Sequence, residues 1–272
     1  MNRFNTYLVN GSFELAISPI DRGFAYGDGV FRTMIMRNSV PDSWPQHYQK
    51  LVADCAVIGI VCPSAELLMS DLQQLFAIDE IAVAKIVITR GEGARGYKPP
   101  AITTPMRVVV KSSMPQYTMN QLVHGINLHV CDIRMAHQPY LAGIKHLNRL
   151  ENVMARMEWH EGTIFDGLLL DQLGNVIECT MSNIFARFGK TLITPDLSMC
   201  GVAGITRQRI ISLAPILNLN IEVKNISFDE FLQADEVVIC NSLYGAFQVM
   251  KIGGATLPQQ GLAKMIRNAL KS

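Results

Sequence analysis

The chain has 272 residues, enough for one large domain or for two of moderate size with separate cores. Lysine and arginine number 24 against 23 aspartates and glutamates, so a net charge of +1 excludes a general field for steering nucleic acid or an anionic membrane surface. No run reaches the ~18 apolar residues of a membrane span, and the first residues lack the apolar core of a signal peptide, so a cytoplasmic location is expected.

Taken in chain order, residues 7–10 and 30–36 read as strands flanking the turn-rich Asp21-Arg-Gly-Phe-Ala-Tyr-Gly-Asp-Gly. Helical spacing follows over 46–58, with Leu51, Cys55 and Ile58 on one face, and over 65–76. Valine and isoleucine mark strands at 81–89 and 106–112, separated by a loop rich in glycine and proline. The polar stretch near 116–123 has the composition of an interdomain linker, which sets an N-terminal domain at 1–115 and a larger C-terminal one at 124–272. There, strands are expected at 125–133, 167–171, 183–188, 191–194, 221–224, 236–241 and 247–252, with a helix at 205–214. Leu147, Leu150, Met154 and Met157 follow the spacing of a helix face, which would put Lys145 just before or within a first turn whose amides are open to anions. Bunched strands with interspersed helices favour an α+β class over a doubly wound sheet.

Two residues stand out chemically. Lys145 lies in Ala-Gly-Ile-Lys-His-Leu-Asn-Arg-Leu-Glu, and Glu178 is the acidic residue in the apolar, small-residue stretch Gly174-Asn-Val-Ile-Glu-Cys-Thr-Met-Ser-Asn-Ile-Phe185. An amine that forms a Schiff base and a carboxylate that keeps a pyridine nitrogen protonated are what pyridoxal 5'-phosphate chemistry requires. Other chemistries lack their signatures. Gly91-Glu-Gly-Ala-Arg-Gly96 spells a dinucleotide motif, but Tyr97-Lys-Pro-Pro denies it the helix that would meet a pyrophosphate. The six histidines show no zinc-ligand spacing, so no metal is implied, and no Gly-x-Ser-x-Gly elbow occurs. The six cysteines form no Cys-x-x-Cys pair and read as reduced, buried thiols.

These motifs resemble the fold-type IV pyridoxal phosphate enzymes, the group of branched-chain aminotransferases, D-amino-acid transaminases and 4-amino-4-deoxychorismate lyases, over nearly the whole chain. Within the group, Thr89-Arg-Gly-Glu-Gly-Ala-Arg-Gly-Tyr, Leu141-Ala-Gly-Ile-Lys-His-Leu-Asn-Arg-Leu-Glu and Ala234-Asp-Glu-Val-Val-Ile-Cys-Asn-Ser-Leu look most like the lyases. The resemblance implies a two-domain α+β fold like that of D-amino-acid aminotransferase, the cofactor in a cleft between the domains, and a homodimer. It implies conversion of 4-amino-4-deoxychorismate to 4-aminobenzoate and pyruvate, a step toward folate, with a D-amino-acid or branched-chain transaminase as the alternative and a cofactor-binding protein without turnover as a third reading.

Residue by residue, the resemblance makes Lys145 the Schiff-base lysine and Glu178 the pyridine-nitrogen partner. It assigns the amides of Ile205 and Thr206, the Thr206 hydroxyl, Asn241 and Ser242 to the cofactor phosphate. The group's His-x-x-Arg-Leu phosphate anchor reads His47-Tyr-Gln-Lys50-Leu here, so Lys50 keeps the charge without the bidentate fork. Arg95 and Tyr97 match positions that hold a substrate carboxylate, from a loop that reaches the neighbouring subunit. Arg32 and Thr33 are further substrate candidates, and strand alternation allows only one of them to face inward.

Overall fold

In the computed structural model, which describes residues 6–271, the chain forms two compact units. One comprises the chain up to Pro115 together with Lys145–Asn148, the other Gln116–Ile144 and the chain from Arg149 onward.

The first unit is built from β1 (Tyr7–Val9), α1 (Arg22–Tyr26), β2 (Gly29–Arg37), β3 (Val40–Pro41), α2 (Trp44–Val57), α3 (Ala65–Leu75), β4 (Ile81–Thr89) and β5 (Met106–Ser112). Its five strands form an antiparallel sheet in the order β1-β5-β4-β2-β3. The Val- and Ile-rich β4 is central, and its nine residues pair along all of β2 from Gly29↔Thr89 to Arg37↔Ile81. The turn-rich stretch after residue 21 holds one turn of helix, because the buried Asp21 carboxylate accepts the Phe24 amide at 3.1 Å and caps it. Helix α2 buries His47, Leu51, Asp54 and Cys55. Leu51 and Cys55 lie on the expected face, the acidic Asp54 is buried with them, and Ile58 caps the helix half-buried.

The second unit contains α4 (Met119–His124), β6 (Ile126–Met135), α5 (Leu150–Arg156), β7 (Ile164–Asp171), β8 (Val176–Cys179), β9 (Asn183–Phe188), β10 (Thr191–Thr194), α6 (Ile205–Leu213), β11 (Asn220–Val223), α7 (Phe228–Phe231), β12 (Glu236–Asn241), β13 (Gly245–Ile252), β14 (Ala255–Thr256) and α8 (Leu262–Lys271). Its mixed sheet runs β11-β10-β9-β12-β13-β6-β7-β8, with β14 beside β13. One apolar cluster contains Leu128, Ile184, Phe231, Ile239 and Phe247, and another packs Phe185, Val238 and Ala246 with Ile210 of α6 and Ile266 of α8. Helix α8 presents Leu262, Ala263 and Ile266 inward at helical spacing.

The stretch 116–123 carries most of α4, opened by a capping box in which Thr118 and Gln121 satisfy each other's amides. One expectation changes. The helix after Lys145 begins only at Leu150, and Lys145–Asn148 lies with the first unit.

Candidate active site

Lys145–Asn148 is held as an extended rung against β2. The Phe31 amide donates to the Lys145 carbonyl at 2.9 Å, the Leu147 amide donates to the Gly29 carbonyl at 3.0 Å, and His146 bridges to Val30. The Lys145 amide donates to Asp54 Oδ2 at 3.2 Å. The amides expected to await an anion here are therefore engaged by β2 and α2, because the segment pairs with a strand instead of starting a helix.

The Lys145 Nζ stands 4.5 Å from the centre of the Phe31 ring. Side chains alternate along β2, so Phe31 and Thr33 share a face and Arg32 takes the other. The register sets Lys85 of β4 opposite Thr33, and its Nζ lies 4.7 Å from the same Phe31 ring. Lys145, Thr33 and Lys85 thus gather around one aromatic side chain. Lys85 is legible as a cation in the middle of an otherwise apolar strand, but its face depends on the pairing register, which residues distant in the chain set.

Arg32 is buried and pairs with Asp54, on the opposite face from Phe31. Of the two substrate candidates on β2, Thr33 shares the Lys145 side and Arg32 does not, because alternation turns its guanidinium toward α2. Burial pulls the Arg32 guanidinium below its ordinary pKa, and attraction to Asp54 opposes that. Lys50 pairs with the other Asp54 oxygen one helical turn away.

The turn before β2 is locked by charge. Asp28 receives Arg22 Nε at 2.8 Å and Arg90 Nε at 2.7 Å. Burial would raise the Asp28 carboxyl, but hydrogen bonds and attraction from Arg90 and Arg22 hold it below its usual range. Arg22 also donates to the carbonyls of Gly96 and Tyr97 at 3.0 and 2.9 Å, fixing the glycine-rich loop. Tyr97 leans on Tyr26 with ring centres 5.5 Å apart, and Arg95 on the same loop is exposed.

In the second unit Glu178 is buried on β8 and accepts the Val202 amide at 2.8 Å. Asn183 reaches the same carboxylate at 3.4 Å, donates to the Val202 carbonyl at 2.8 Å and accepts the Gly204 amide at 3.1 Å. It therefore couples the Glu178 strand to the head of α6. Gly201 takes φ 86°, and a Cβ at Gly204 would stand 2.3 Å from Asn183 Oδ1, so both positions require glycine. The Arg149 guanidinium is lowered by burial and held up by attraction to Glu178 and Glu151. Asp166 pins the turn after Glu178 through Thr180 and Ser182, and burial raises its carboxyl against those hydrogen bonds.

Helix α6 opens at Gly204 without a side-chain cap, which leaves the first-turn amides of Ile205 and Thr206 for an external acceptor. The Thr206 and Ser242 hydroxyls lie 3.5 Å apart beside them. The Asn241 side chain is engaged in its own turn, accepting the Leu243 and Tyr244 amides at 2.9 and 3.2 Å and donating to the Met181 carbonyl. Arg207, unanticipated from sequence, is buried and donates to Thr194 and the Pro195 carbonyl, which braces the first turn of α6. All six cysteines are free, five of them buried and Cys62 half-buried, and burial pushes the Cys131 and Cys200 thiols up to about 12. Among the described residues no helix is long and apolar enough to cross a membrane, and no group of three or more His, Cys, Asp or Glu side chains is arranged to hold a metal ion.

Comparison with known proteins gives a consistent pattern. The family model described as amino-transferase class IV matches residues 29–252. An aminodeoxychorismate lyase of Vibrio harveyi is 34% identical over 254 residues, 93% of this chain and 92% of that protein. A D-alanine aminotransferase of Bacillus licheniformis is 29% identical, over 99% of this chain and 95% of that protein. The crystal structure of 4-amino-4-deoxychorismate lyase from Pseudomonas aeruginosa superposes with a TM-score of 0.93 at 37% identity, covering 97% of this chain and 98% of that one.

Proposed function

The chain belongs to the class IV aminotransferase family, and from that premise we propose that it is a pyridoxal 5'-phosphate-dependent lyase converting 4-amino-4-deoxychorismate to 4-aminobenzoate and pyruvate. The observation that carries the reading is the gathering of the Lys145 amine, Thr33 and Lys85 on the Phe31 side of β2: a nucleophilic amine, a hydroxyl and a second cation, groups suited to a dicarboxylate substrate. The greater likeness to two lyases than to the D-alanine aminotransferase supports elimination over amino transfer.

The donor set fits the cofactor. An uncapped helix start with two adjacent hydroxyls suits a phosphate, a buried carboxylate suits a protonated pyridine nitrogen, and an amine suits an aldehyde. Ile205, Thr206 and Ser242 would hold the phosphate, with Lys50 as a further cation. Asn241 contributes by shaping the turn that presents Ser242. When bound, pyridoxal 5'-phosphate supplies a sink for the electron pair left as a proton leaves the substrate carbon.

The protein's own groups do the rest. Lys145 Nζ would take the proton from the amine-bearing ring carbon, the ring carbon–oxygen bond to the enolpyruvyl group would break, and the proton would return from Lys145 to the departing enol, which becomes pyruvate. Glu178, held by Val202 and Asn183, would keep the proton on the pyridine nitrogen of the bound cofactor. The Thr33 hydroxyl lies on the Lys145 side to guide the proton, while Lys85, Arg95 and Tyr97 receive substrate carboxylates. Arg32, committed to Asp54, acts from behind the site. Aromatisation of the ring drives the elimination, and no keto acid is consumed.

We read the protein as a cytoplasmic homodimer. Helix α5 supports this, because Leu150, Val153, Met154 and Met157 are 70, 54, 51 and 68% exposed at one helical spacing, an apolar stripe that a second subunit would cover.

The test is pyruvate release from 4-amino-4-deoxychorismate by cofactor-loaded protein without keto acid, with Lys145→Ala as control. Equal amounts of pyruvate and 4-aminobenzoate, absent in the variant, support the lyase. No pyruvate from protein with normal cofactor absorbance transfers the assignment to a transaminase, assayed with D-amino acids or branched-chain amino acids and 2-oxoglutarate.

A further inference from the structure

Asp54 has no place in the sequence motifs, yet three elements converge on its buried carboxylate. It is 1% exposed, and it receives Arg32 from β2, Lys50 from one turn earlier on α2, and the backbone amide of Lys145 at 3.2 Å. A carboxylate taken out of water is retained only when paired and hydrogen-bonded. Here the pairing does more than satisfy burial.

The Lys145 amide is held by Asp54 and its carbonyl by the Phe31 amide, so both hydrogen-bonding groups of that backbone residue are fixed. The direction in which its side chain leaves the backbone is fixed with them. Charge supplies the second consequence. Asp54 alone would neutralise Lys50, which stands where the family pattern has arginine. With Arg32 on the other oxygen the cluster carries one net positive charge. Arg32 Nε is buried without a hydrogen-bond partner, and the guanidinium makes its ion pair with Asp54.

We propose that Asp54 is a positioning residue for the cofactor side of the site: it sets the Lys145 backbone and, with Arg32 behind it, lets Lys50 take the place of the family's phosphate-anchoring arginine. The inference rests on the reading that Lys145 carries pyridoxal 5'-phosphate. The Arg32–Asp54 pair compensates for the shorter, forkless cation.

The experiment compares Asp54→Asn with the double variant Arg32→Met, Asp54→Asn, which removes the buried charges together. Each is reconstituted with pyridoxal 5'-phosphate, and thermal midpoint, cofactor dissociation constant, absorbance of the lysine-bound cofactor, kcat and KM are measured. In Asp54→Asn the cluster gains positive charge, but Lys50 and the Lys145 backbone lose the charge-assisted hydrogen bonds that position them, so the cofactor dissociation constant rises about tenfold and kcat falls with KM near wild type. The double variant recovers the thermal midpoint but not the cofactor affinity or kcat. Recovery of all three to wild type would reduce the cluster to a structural ion pair and overturn the proposal, as would an Asp54→Asn protein with unchanged affinity and kcat. If Asp54→Asn fails to fold, the double variant alone decides by the same criteria. Cofactor affinity and absorbance are read without substrate, so a wild-type protein that binds cofactor but releases no pyruvate refutes the lyase reading and leaves this test standing.

Discussion

Phe31 meets Lys145 twice: its amide donates to the lysine carbonyl at 2.9 Å, and its ring lies 4.5 Å from the lysine Nζ. The backbone contact belongs to any residue at 31, whereas the ring contact belongs to an aromatic one. Phe31→Leu therefore separates them. Ring–cation attraction contributes about 0.5–2 kcal/mol, so kcat falls about two- to thirtyfold while the cofactor still binds. Phe31→Tyr, which keeps the ring, stays closer to wild type in the same steady-state assay.

Arg22 holds the loop that carries Arg95 by donating to the Gly96 and Tyr97 carbonyls. Arg95→Ala raises KM on the order of tenfold, the loss of one charge-assisted contact to a carboxylate, with cofactor absorbance unchanged. Arg22→Lys, lacking the fork that spans Asp28 and the loop, shifts KM in the same direction and also lowers the thermal midpoint. An unchanged KM in Arg95→Ala removes that residue from the substrate site.

The Asp28 carboxyl is held below the ordinary value of 3.8: burial opposes this, and Arg90 and Arg22 overcome burial. A depressed carboxylate contributes stability that is present above 3.8 and is lost as pH falls through its folded value. Asp28→Asn breaks two ion pairs and costs about 3 kcal/mol at pH 7. The difference from wild type in urea unfolding shrinks below 3.8, because wild-type Asp28 then loses its charge as well.

The stripe on α5 gives a separate prediction. Met154→Glu places a charge among Leu150, Val153 and Met157, all of them exposed, so the isolated chain tolerates it. If a second subunit covers this face, the dimer weakens on the order of a hundredfold or more, the cost of an unpaired charge in an apolar interface. Sedimentation equilibrium across a dilution series reads the change. A monomer–dimer balance equal to wild type places the interface elsewhere.

Much of the fold was legible in the sequence. Strands 81–89, 106–112, 183–188, 191–194 and 236–241 have the expected bounds, because apolar β-branched runs bounded by turn residues leave little choice at that scale. Thr118 and Gln121 carried the capping-box signal for α4, three residues apart, but a polar composition concealed it. The helix after Lys145 is shorter than its apolar spacing suggests, because Leu147 fits a helical spacing while its amide is claimed by Gly29.

The sequence by itself determined the chemistry available: a lysine and a glutamate in distinctive motifs, a glycine-headed helix for phosphate, and a family resemblance carried by short runs. Such signals are local and survive without a partner strand. Only the tertiary structure decided which face Arg32, Thr33 and Lys85 occupy, and that Asp54 lies beneath Lys145. Along a strand the side chains alternate, so a residue's neighbours follow from pairing register, and register is set by residues far away in the chain. An acidic residue on a helix likewise reads as solvated until the cations of β2 and α2 are folded against it.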